Sequence, residues 1–153
     1  MKNLFMILTL VFSLFTFTQT SQAALSGGEY LIQECTYDFA VQGGAVGFID
    51  ICGKKALPAG AYIVDGFYIQ QTAFTSAGSA TVALGDQASG ARYLAATAYN
   101  NAAFAAGFIA KYAIGTPLNV DAANKGKLGI TVATAALTGG KMKMMVLVYK
   151  PKL

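Results

Sequence analysis

Residues 57–85 read LPAGAYIVDGFYIQQTAFTSAGSATVALG and hold two turns and two strands in a short stretch of chain. Pro58 fixes a backbone φ angle and Gly60 accepts the angles of a tight bend, so the two mark a turn. Residues 62–74 then follow as a long strand, and residues 80–84 return as a short one after a loop that contains serine and glycine. This arrangement predicts an all-β protein.

The rest of the chain repeats this pattern of short strands and turns. We predict further strands at residues 30–42, 45–52, 93–98, 108–113, 128–134 and 141–149, with a turn at Thr138-Gly139-Gly140. Gly66 in mid-strand predicts a bulge or a close backbone contact. Together the strands favour an antiparallel two-sheet β-sandwich of jelly-roll type over an α/β fold. A small membrane barrel is the alternative, but strands of such unequal length fit it poorly.

The first 23 residues are interpreted as a signal peptide. Lys2 precedes an apolar run at residues 4–18, and Ser21-Gln22-Ala23 presents the small residues that a signal peptidase reads. The run is shorter than the roughly 20 residues that a membrane-spanning helix needs, so we expect cleavage after Ala23 instead of a retained anchor. Residues 24–153 would then form a single domain in the periplasm, at the cell surface or outside the cell.

The composition argues against nucleic-acid binding and against catalysis. Without Lys2 the chain has ten basic and seven acidic side chains, a mild excess in which Arg92 is the only arginine. Histidine is absent, which removes the commonest general base and zinc ligand. None of the seven carboxylates stands in a catalytic or calcium-binding motif, and residues 85–90 lack the lysine of a phosphate loop. We therefore expect no enzymatic activity, cofactor or metal.

The two cysteines are predicted to form a disulfide. Gly43-Gly44 suits a two-residue hairpin turn, which would place Cys35 opposite Cys52 on the adjoining strand. The Cα separation of such a pair, about 4.5 Å, is compatible with a disulfide. Passage through an oxidising compartment would form the bond. A reactive thiol pair is the alternative, but the spacing is not that of a CxxC motif.

The final predicted strand is apolar on both of its faces. Met142 and Met144 lie on one face, and Met145 and Leu147 lie on the other. A strand of this kind is either central in a sheet or in contact with another subunit. These four residues are therefore candidates for an oligomer interface.

A second candidate site lies in the long predicted loop before residue 107. Tyr99 and Phe104 flank Asn100-Asn101, so the segment offers both aromatic rings and amide groups to a sugar or a protein. We predict ligand contact there and expect the neighbouring Tyr93 and Phe108 to be buried. A periplasmic carbohydrate-binding module is the corresponding alternative function.

Two short motifs resemble a domain of phage virion structural proteins. The turn at residues 57–61 (LPAGA) and the segment at residues 72–76 (TAFTS) are similar to those of head fibres and tail fibre parts of tailed phages, with weaker echoes at residues 94–98 and 135–141. The resemblance implies a β-sandwich that acts as a fibre or decoration module, often as a trimer, without catalytic residues. It also implies contact with a cell-surface glycan or a protein.

The signal peptide and the cysteine pair depart from this resemblance, because a virion protein assembled in the cytoplasm needs neither. We therefore interpret the chain as a phage-type module that a bacterium exports. The favoured function is a homo-oligomeric structural or adhesive module, ahead of the carbohydrate-binding module. A hydrolase that uses two of the carboxylates, such as Asp38, Asp50 or Asp65, is the third hypothesis.

Overall fold

Two antiparallel sheets packed face to face form the described part of the chain. The structure is a computed structural model that describes residues 28–53, 57–112, 118–120 and 127–152. It confirms the predicted all-β, two-sheet sandwich. The predicted signal peptide, residues 1–23, lies outside the described residues.

Short strands dominate the described chain, with one turn of α-helix and one turn of 3₁₀ helix between them. The bounds are β1 Glu29–Asp38, α1 Phe39–Gln42, β2 Gly47–Asp50, β3 Tyr62–Ser76, β4 Thr81–Asp86, β5 Leu94–Ala98, the 3₁₀ helix Ala102–Phe104, β6 Ile109–Lys111, β7 Leu118–Asn119, β8 Leu128–Ala133 and β9 Leu137–Lys150. Most predicted strands correspond to one of these elements, with ends that shift by a few residues. Residue 113, the predicted end of one strand, lies outside the described residues.

The strands divide into two sheets of different connectivity. The first sheet has the order β1-β9-β3-β6, and β7 also pairs with β3; the second sheet has the order β2-β8-β4-β5. The pairings are antiparallel throughout. The final strand β9 is thus central in the first sheet, which agrees with the apolar character of both its faces.

The core lies between the sheets and follows from the alternation of side chains along each strand. In β9 the even-numbered residues from Met142 to Val148 are buried, and β8 contributes Ile130 and Val132 from the opposite sheet. Tyr37 and Phe104 pack against Phe74 with ring centroids 5.7 and 5.1 Å apart. Each fully buried side chain of this size stabilises the fold by about 1.5–3 kcal/mol.

The predicted hairpin at Gly43-Gly44 is wrong. β1 pairs with β9 of the first sheet, whereas β2 pairs with β8 of the second. Between them the chain forms α1, and the Asp38 carboxylate caps this turn by accepting a hydrogen bond from the Ala40 amide at 3.0 Å. Gly44 allows a close contact instead of a hairpin, because a Cβ atom there would collide with the Leu137 carbonyl. This segment therefore carries the chain from one sheet to the other.

The predicted turn at residues 138–140 is also wrong, because these residues belong to β9. The chain reverses earlier, at Thr134, whose φ of 69° lies in the left-handed region. Gly139 and Gly140 are instead places of close packing, since Cβ atoms there would collide with Thr75 and with the Phe74 ring. Glycine in a strand can mark a close contact as well as a turn.

Candidate functional site

The outer face of the first sheet carries several exposed apolar side chains. Side chains along β9 alternate between the core and this outer face. Met144 and Val146 are buried in the core, whereas Met145 and Leu147 point outward. Register places Ile32 of β1 opposite Leu147, and Phe67 of β3 opposite Met145. Neighbouring strands thus bring apolar side chains together on this face.

A shallow groove of about 580 Å³ runs across this face. Its apolar lining comes from Ile32, Phe67, Ile109, Met145 and Leu147. Ile32 is 72% exposed and Ile109 is 62% exposed, which is far more than core packing would leave. We call these five residues the apolar face. Exposed apolar patches that are framed by polar groups are typical of protein contact sites.

Gly66 is a point of close packing between β3 and its neighbours. A Cβ atom at this position would lie 2.5 Å from Cδ2 of Tyr112 and 2.7 Å from the Met145 carbonyl oxygen. The pairing of β3 with β9 is also irregular just before this residue, between Ile63 and Asp65. The prediction of a bulge or close contact at Gly66 is therefore confirmed.

Charged pairs frame the apolar face on two sides. Lys111 binds Asp65 at 2.8 Å and Lys143 binds Glu34 at 2.7 Å. The hydrogen bond from Lys111 is the main reason why the pKa of Asp65 is lowered from its usual value. Such exposed pairs contribute little stability. Their effect here is to leave a rim of neutralised charge around an apolar centre.

The structure divides the four residues predicted for the oligomer interface. Met142 and Met144 are completely buried between the sheets, so their assignment to an exposed interface is wrong. The physical reason is that β9 is covered on its inner face by the second sheet. Met145 and Leu147 lie on the outer face and line the groove, so they remain candidates.

The predicted ligand-contact residues do not form one site. Phe104 is buried, with its ring 5.1 Å from that of Phe74, so its prediction as a contact residue is wrong. Asn101 caps the 3₁₀ helix by accepting a hydrogen bond from Ala103. Tyr99 and Asn100 line a separate small pocket of about 330 Å³ against residues 78–81. The two flanking predictions divide as well, since Tyr93 is buried but Phe108 is 37% exposed.

Sequence reasoning missed the apolar residues contributed by the edges of the sheet. The sequence predicts a hairpin that pairs Tyr30 and Ile32 with β2, and it predicts a strand at residues 108–113 without a pairing partner for Ile109. The sequence of β1 does contain the alternation that separates its two faces. Tyr30, Ile32 and Glu34 lie on one face, and Leu31 and Cys35 lie on the other. Which of these faces lies outward depends on the pairing with β9, which residue order does not reveal.

The carboxylates of Asp86 and Asp50 each hold a local turn of the backbone. Asp86 is 1% exposed and accepts hydrogen bonds from the amides of Ala88 and Ser89 and from Nε of Arg92. Asp50 accepts hydrogen bonds from the amides of Cys52 and Gly53. Among residues 28–53, 57–112, 118–120 and 127–152, no three acidic, histidine or cysteine side chains are grouped so that they could hold a metal ion.

Solved structures with the same fold come from phage capsids. A chain of the cyanophage Pam1 capsid asymmetric unit aligns with a TM-score of 0.60 and 24% identity, over 89% of this chain and 99% of that one. A chain of the acid-stable capsid of Helicobacter pylori bacteriophage KHP30 aligns with a TM-score of 0.56 and 17% identity, over 82% and 91% of the two chains. No protein-family model and no curated protein matches the chain.

These alignments establish structural similarity to phage capsid proteins over most of the chain. They agree with the resemblance to virion structural proteins at the level of the fold. The similar chains belong to capsids, whereas the sequence motifs had suggested fibres. No helix within the described residues is long and apolar enough to cross a membrane.

Proposed function

We propose that this protein is a non-enzymatic structural subunit of the phage-capsid type, which works by binding other protein subunits through the apolar face. The fold supports a structural role because the similar chains are parts of capsids. The apolar face supplies the surface for assembly.

The observation that carries the proposal is the exposure of large apolar side chains at the centre of that face. Ile32 and Ile109 stand out from the two sides of the groove, and Phe67 and Met145 lie between them. The charges around them are already paired, so a partner need not neutralise them when it removes this surface from water. Contact surfaces between proteins commonly combine an apolar centre with such a polar rim.

We further propose that the protein is exported. The first 23 residues support this proposal through their charged start, apolar run and small residues at the expected cleavage site. The Cys35–Cys52 disulfide is a second support, because such bonds persist in oxidising compartments. The site of action would be the periplasm, the cell surface or the medium. Mass spectrometry of the natural protein tests this directly, since export with cleavage predicts a mature chain that starts at Ala24.

An adhesive, fibre-like form of this role is a narrower version of the proposal. It would use the partly buried Tyr99 and the exposed Asn100. It predicts binding of the mature protein to cells or to a surface glycan. Loss of that binding in Tyr99→Ala would support it. The capsid-type role does not require such binding, so the two versions are separable by experiment.

The capsid-type role is tested by following the protein into particles. In the organism that encodes it, particles would be purified on density gradients and analysed by mass spectrometry, with wild type compared with Ile109→Lys. We expect wild type in the particle fraction and Ile109→Lys in the free fraction, because a lysine would place a charge within the apolar face. Val41→Lys is the matched control, since Val41 is 77% exposed but lies on α1. Absence of the wild-type protein from particles would contradict the proposal, as would equal incorporation of Ile109→Lys.

A further inference from the structure

The edges of the two sheets differ greatly in length. β2, β5 and β6 are edge strands of four, five and three residues, whereas β1 has ten. Edge strands carry unpaired main-chain groups. Proteins limit unwanted pairing of these strands with other chains by keeping them short or by covering them. Among these four edge strands, only β1 is long.

Main-chain hydrogen-bonding groups alternate along a strand between its two neighbours, which shows which groups of β1 are directed to the free edge. The amide and carbonyl of Gln70 in β3 bond to Phe108 and Gly107, on the side of β3 away from β9. Odd-numbered residues of β3 therefore bond to β9, where they lie opposite odd-numbered residues such as Met145. The even-numbered residues of β9 then bond to β1, where they lie opposite odd-numbered residues such as Cys35. The even-numbered residues of β1 consequently direct their amide and carbonyl groups to the free edge.

Side chains close this free edge at its C-terminal half. Nε2 of Gln42 donates to the Thr36 carbonyl at 3.1 Å, and the Asp38 amide donates to Oε1 of Gln42 at 2.8 Å. The Gln42 amide thus occupies the edge in the way that a neighbouring strand would. Nε2 of Gln33 also donates to the Glu34 carbonyl at 3.1 Å. At the other end, the Gly28 amide donates to the hydroxyl of Tyr149 at 3.1 Å.

An open window remains between these closures. It consists of the amide and carbonyl groups of Tyr30 and Ile32 and the amide of Glu34, for which no described residue provides a partner. The side chains of the same window are uncovered, since Tyr30 is 65% exposed and Ile32 is 72% exposed. Ile32 is its midpoint.

We infer that β1 pairs antiparallel with β1 of a second copy of this chain, about a two-fold axis at Ile32. The two first sheets would then form one continuous sheet that is eight strands wide and has ten strands when β7 of each copy is counted. Ile32 would lie opposite Ile32 of the second copy and exchange both hydrogen bonds with it, and Tyr30 would lie opposite Glu34. The contact uses the main-chain groups at the edge of β1, and of the apolar face it involves only Ile32. The inference therefore goes beyond the proposed function and does not depend on it.

The occupant is inferred to be a second copy because the window is complementary to itself. Its midpoint can serve as a two-fold axis, since Ile32 directs both its amide and its carbonyl outward. The same axis brings no like charges together, because Glu34 faces an uncharged tyrosine and is already paired with Lys143. Cross-strand pairs of apolar and aromatic residues add to the stability of such a ladder. The closures at Gly28 and Thr36 would hold the register, because slippage in either direction would meet groups that are already bonded.

The test begins with the solution mass of the oxidised chain without residues 1–23, measured by light scattering over a wide range of concentration. We expect a dimer that Ile32→Pro dissociates at least about tenfold more readily, since proline removes the central amide from both copies. The Ile32 amide points away from β9, so this change costs no hydrogen bond within the sheet. Ile32→Thr keeps the amide and the branched side chain and is the matched control, which we expect to remain dimeric.

Two further measurements keep the inference testable if Ile32→Pro does not fold. In wild type, hydrogen exchange at the amides of Tyr30, Ile32 and Glu34 should be slow in the dimer and become fast on dilution. Ile32→Cys should form a disulfide-linked dimer with oxidised glutathione much faster than Ile109→Cys, which is similarly exposed on another edge strand. A monomer at all concentrations, or a trimer that Ile32→Pro leaves intact, would overturn the inference. A dimer that never enters particles would support this pairing and contradict the proposed function.

Discussion

Cys35 and Cys52 join the two sheets of the sandwich through a disulfide, with their Cα atoms 4.7 Å apart. Cys35 lies in β1 of the first sheet, and Cys52 follows β2 of the second sheet. Both are buried, at 3% and 8% exposure. The bond therefore fixes the first sheet to the second at the point where the chain crosses between them.

Removal of this disulfide should destabilise the fold. The bond closes a loop with a sequence separation of 17 residues, for which chain-entropy arguments give about 3 kcal/mol. We expect the double variant Cys35→Ala and Cys52→Ala to lose about 2–4 kcal/mol of unfolding free energy in urea titrations. Reduced wild type should behave like the double variant. Equal stability of oxidised and reduced protein would show that the bond contributes nothing.

This pair also shows what sequence reasoning could reach. The pairing of Cys35 with Cys52 was predicted correctly, but from a hairpin in which β1 and β2 are neighbours. The real neighbour of β1 is β9, more than 100 residues later in the chain, where Glu29 lies opposite Lys150. Local turn signals such as Gly43-Gly44 carry no information about such distant pairing. A disulfide across neighbouring strands and one across sheets can have similar Cα separations, so the correct cysteine pair did not identify the correct strand pairing.

The candidate site was predictable only in part for the same reason. Alternation along β9 separated Met142 and Met144 from Met145 and Leu147, but it did not say which pair was buried. That depends on which side of β9 the second sheet covers. The segment from residue 99 to 104 lacked any periodicity, so nothing in the sequence indicated that Phe104 would turn inward to Phe74.

Gly66→Ala should be among the more destabilising single-methyl changes in the protein. The added methyl group would overlap the Tyr112 ring and the Met145 carbonyl, which are held by the packing of β9 and the core. Overpacking of this kind typically costs about 1–3 kcal/mol. Gly78→Ala is the matched control, because its only close neighbour is the Ala135 side chain at 3.0 Å. Thermal unfolding of the two variants should therefore differ by several degrees, and equal melting temperatures would refute the close contact.

Asp86→Asn should destabilise the connection between β4 and β5. The carboxylate is buried and organises residues 86–92 by accepting hydrogen bonds from the Ser89 amide and from Arg92, both at 2.7 Å. An uncharged amide would keep one acceptor but weaken the pair with Arg92. We expect a loss of about 1–3 kcal/mol in urea titrations. Asp65→Asn, which affects an exposed pair with Lys111, should change stability much less than Asp86→Asn does. Similar losses in the two variants would contradict the special role of Asp86.

Alkaline pH should weaken the fold partly through Tyr37. Burial raises the pKa of Tyr37 to about 12, and its hydroxyl donates to the Gly43 carbonyl at 2.8 Å. Below pH 10 the phenol is neutral in both states, so its full contribution is present. Between pH 10 and 12 the unfolded chain loses this proton while the folded chain keeps it, so stability falls as the pH rises.

Tyr37→Phe isolates this contribution. Near pH 8 the variant should be less stable than wild type by about 1 kcal/mol, because the Gly43 carbonyl loses its donor. From pH 10 to 12 the difference should shrink, since only wild type has this phenol to ionise on unfolding. Urea titrations of both proteins at several pH values measure the difference. A constant difference across this range would contradict the raised pKa of Tyr37.

The Gln42 side chain is expected to protect the closed half of the β1 edge, and this prediction holds whether or not the open half forms a dimer. In Gln42→Ala the Thr36 carbonyl and the Asp38 amide lose the partner that now occupies them. The edge would then be open from Tyr30 to Asp38 except at the Glu34 carbonyl, which Gln33 still bonds. A longer open edge recruits other strands more readily. We expect stronger, concentration-dependent association than in wild type, with species larger than a dimer in light scattering. Gln71→Ala, at an exposed position of β3, is the matched control and should associate as wild type does. If Gln42→Ala also behaves as wild type, the Gln42 side chain does not protect the edge, and the short α1 turn that carries it must be explained by packing alone.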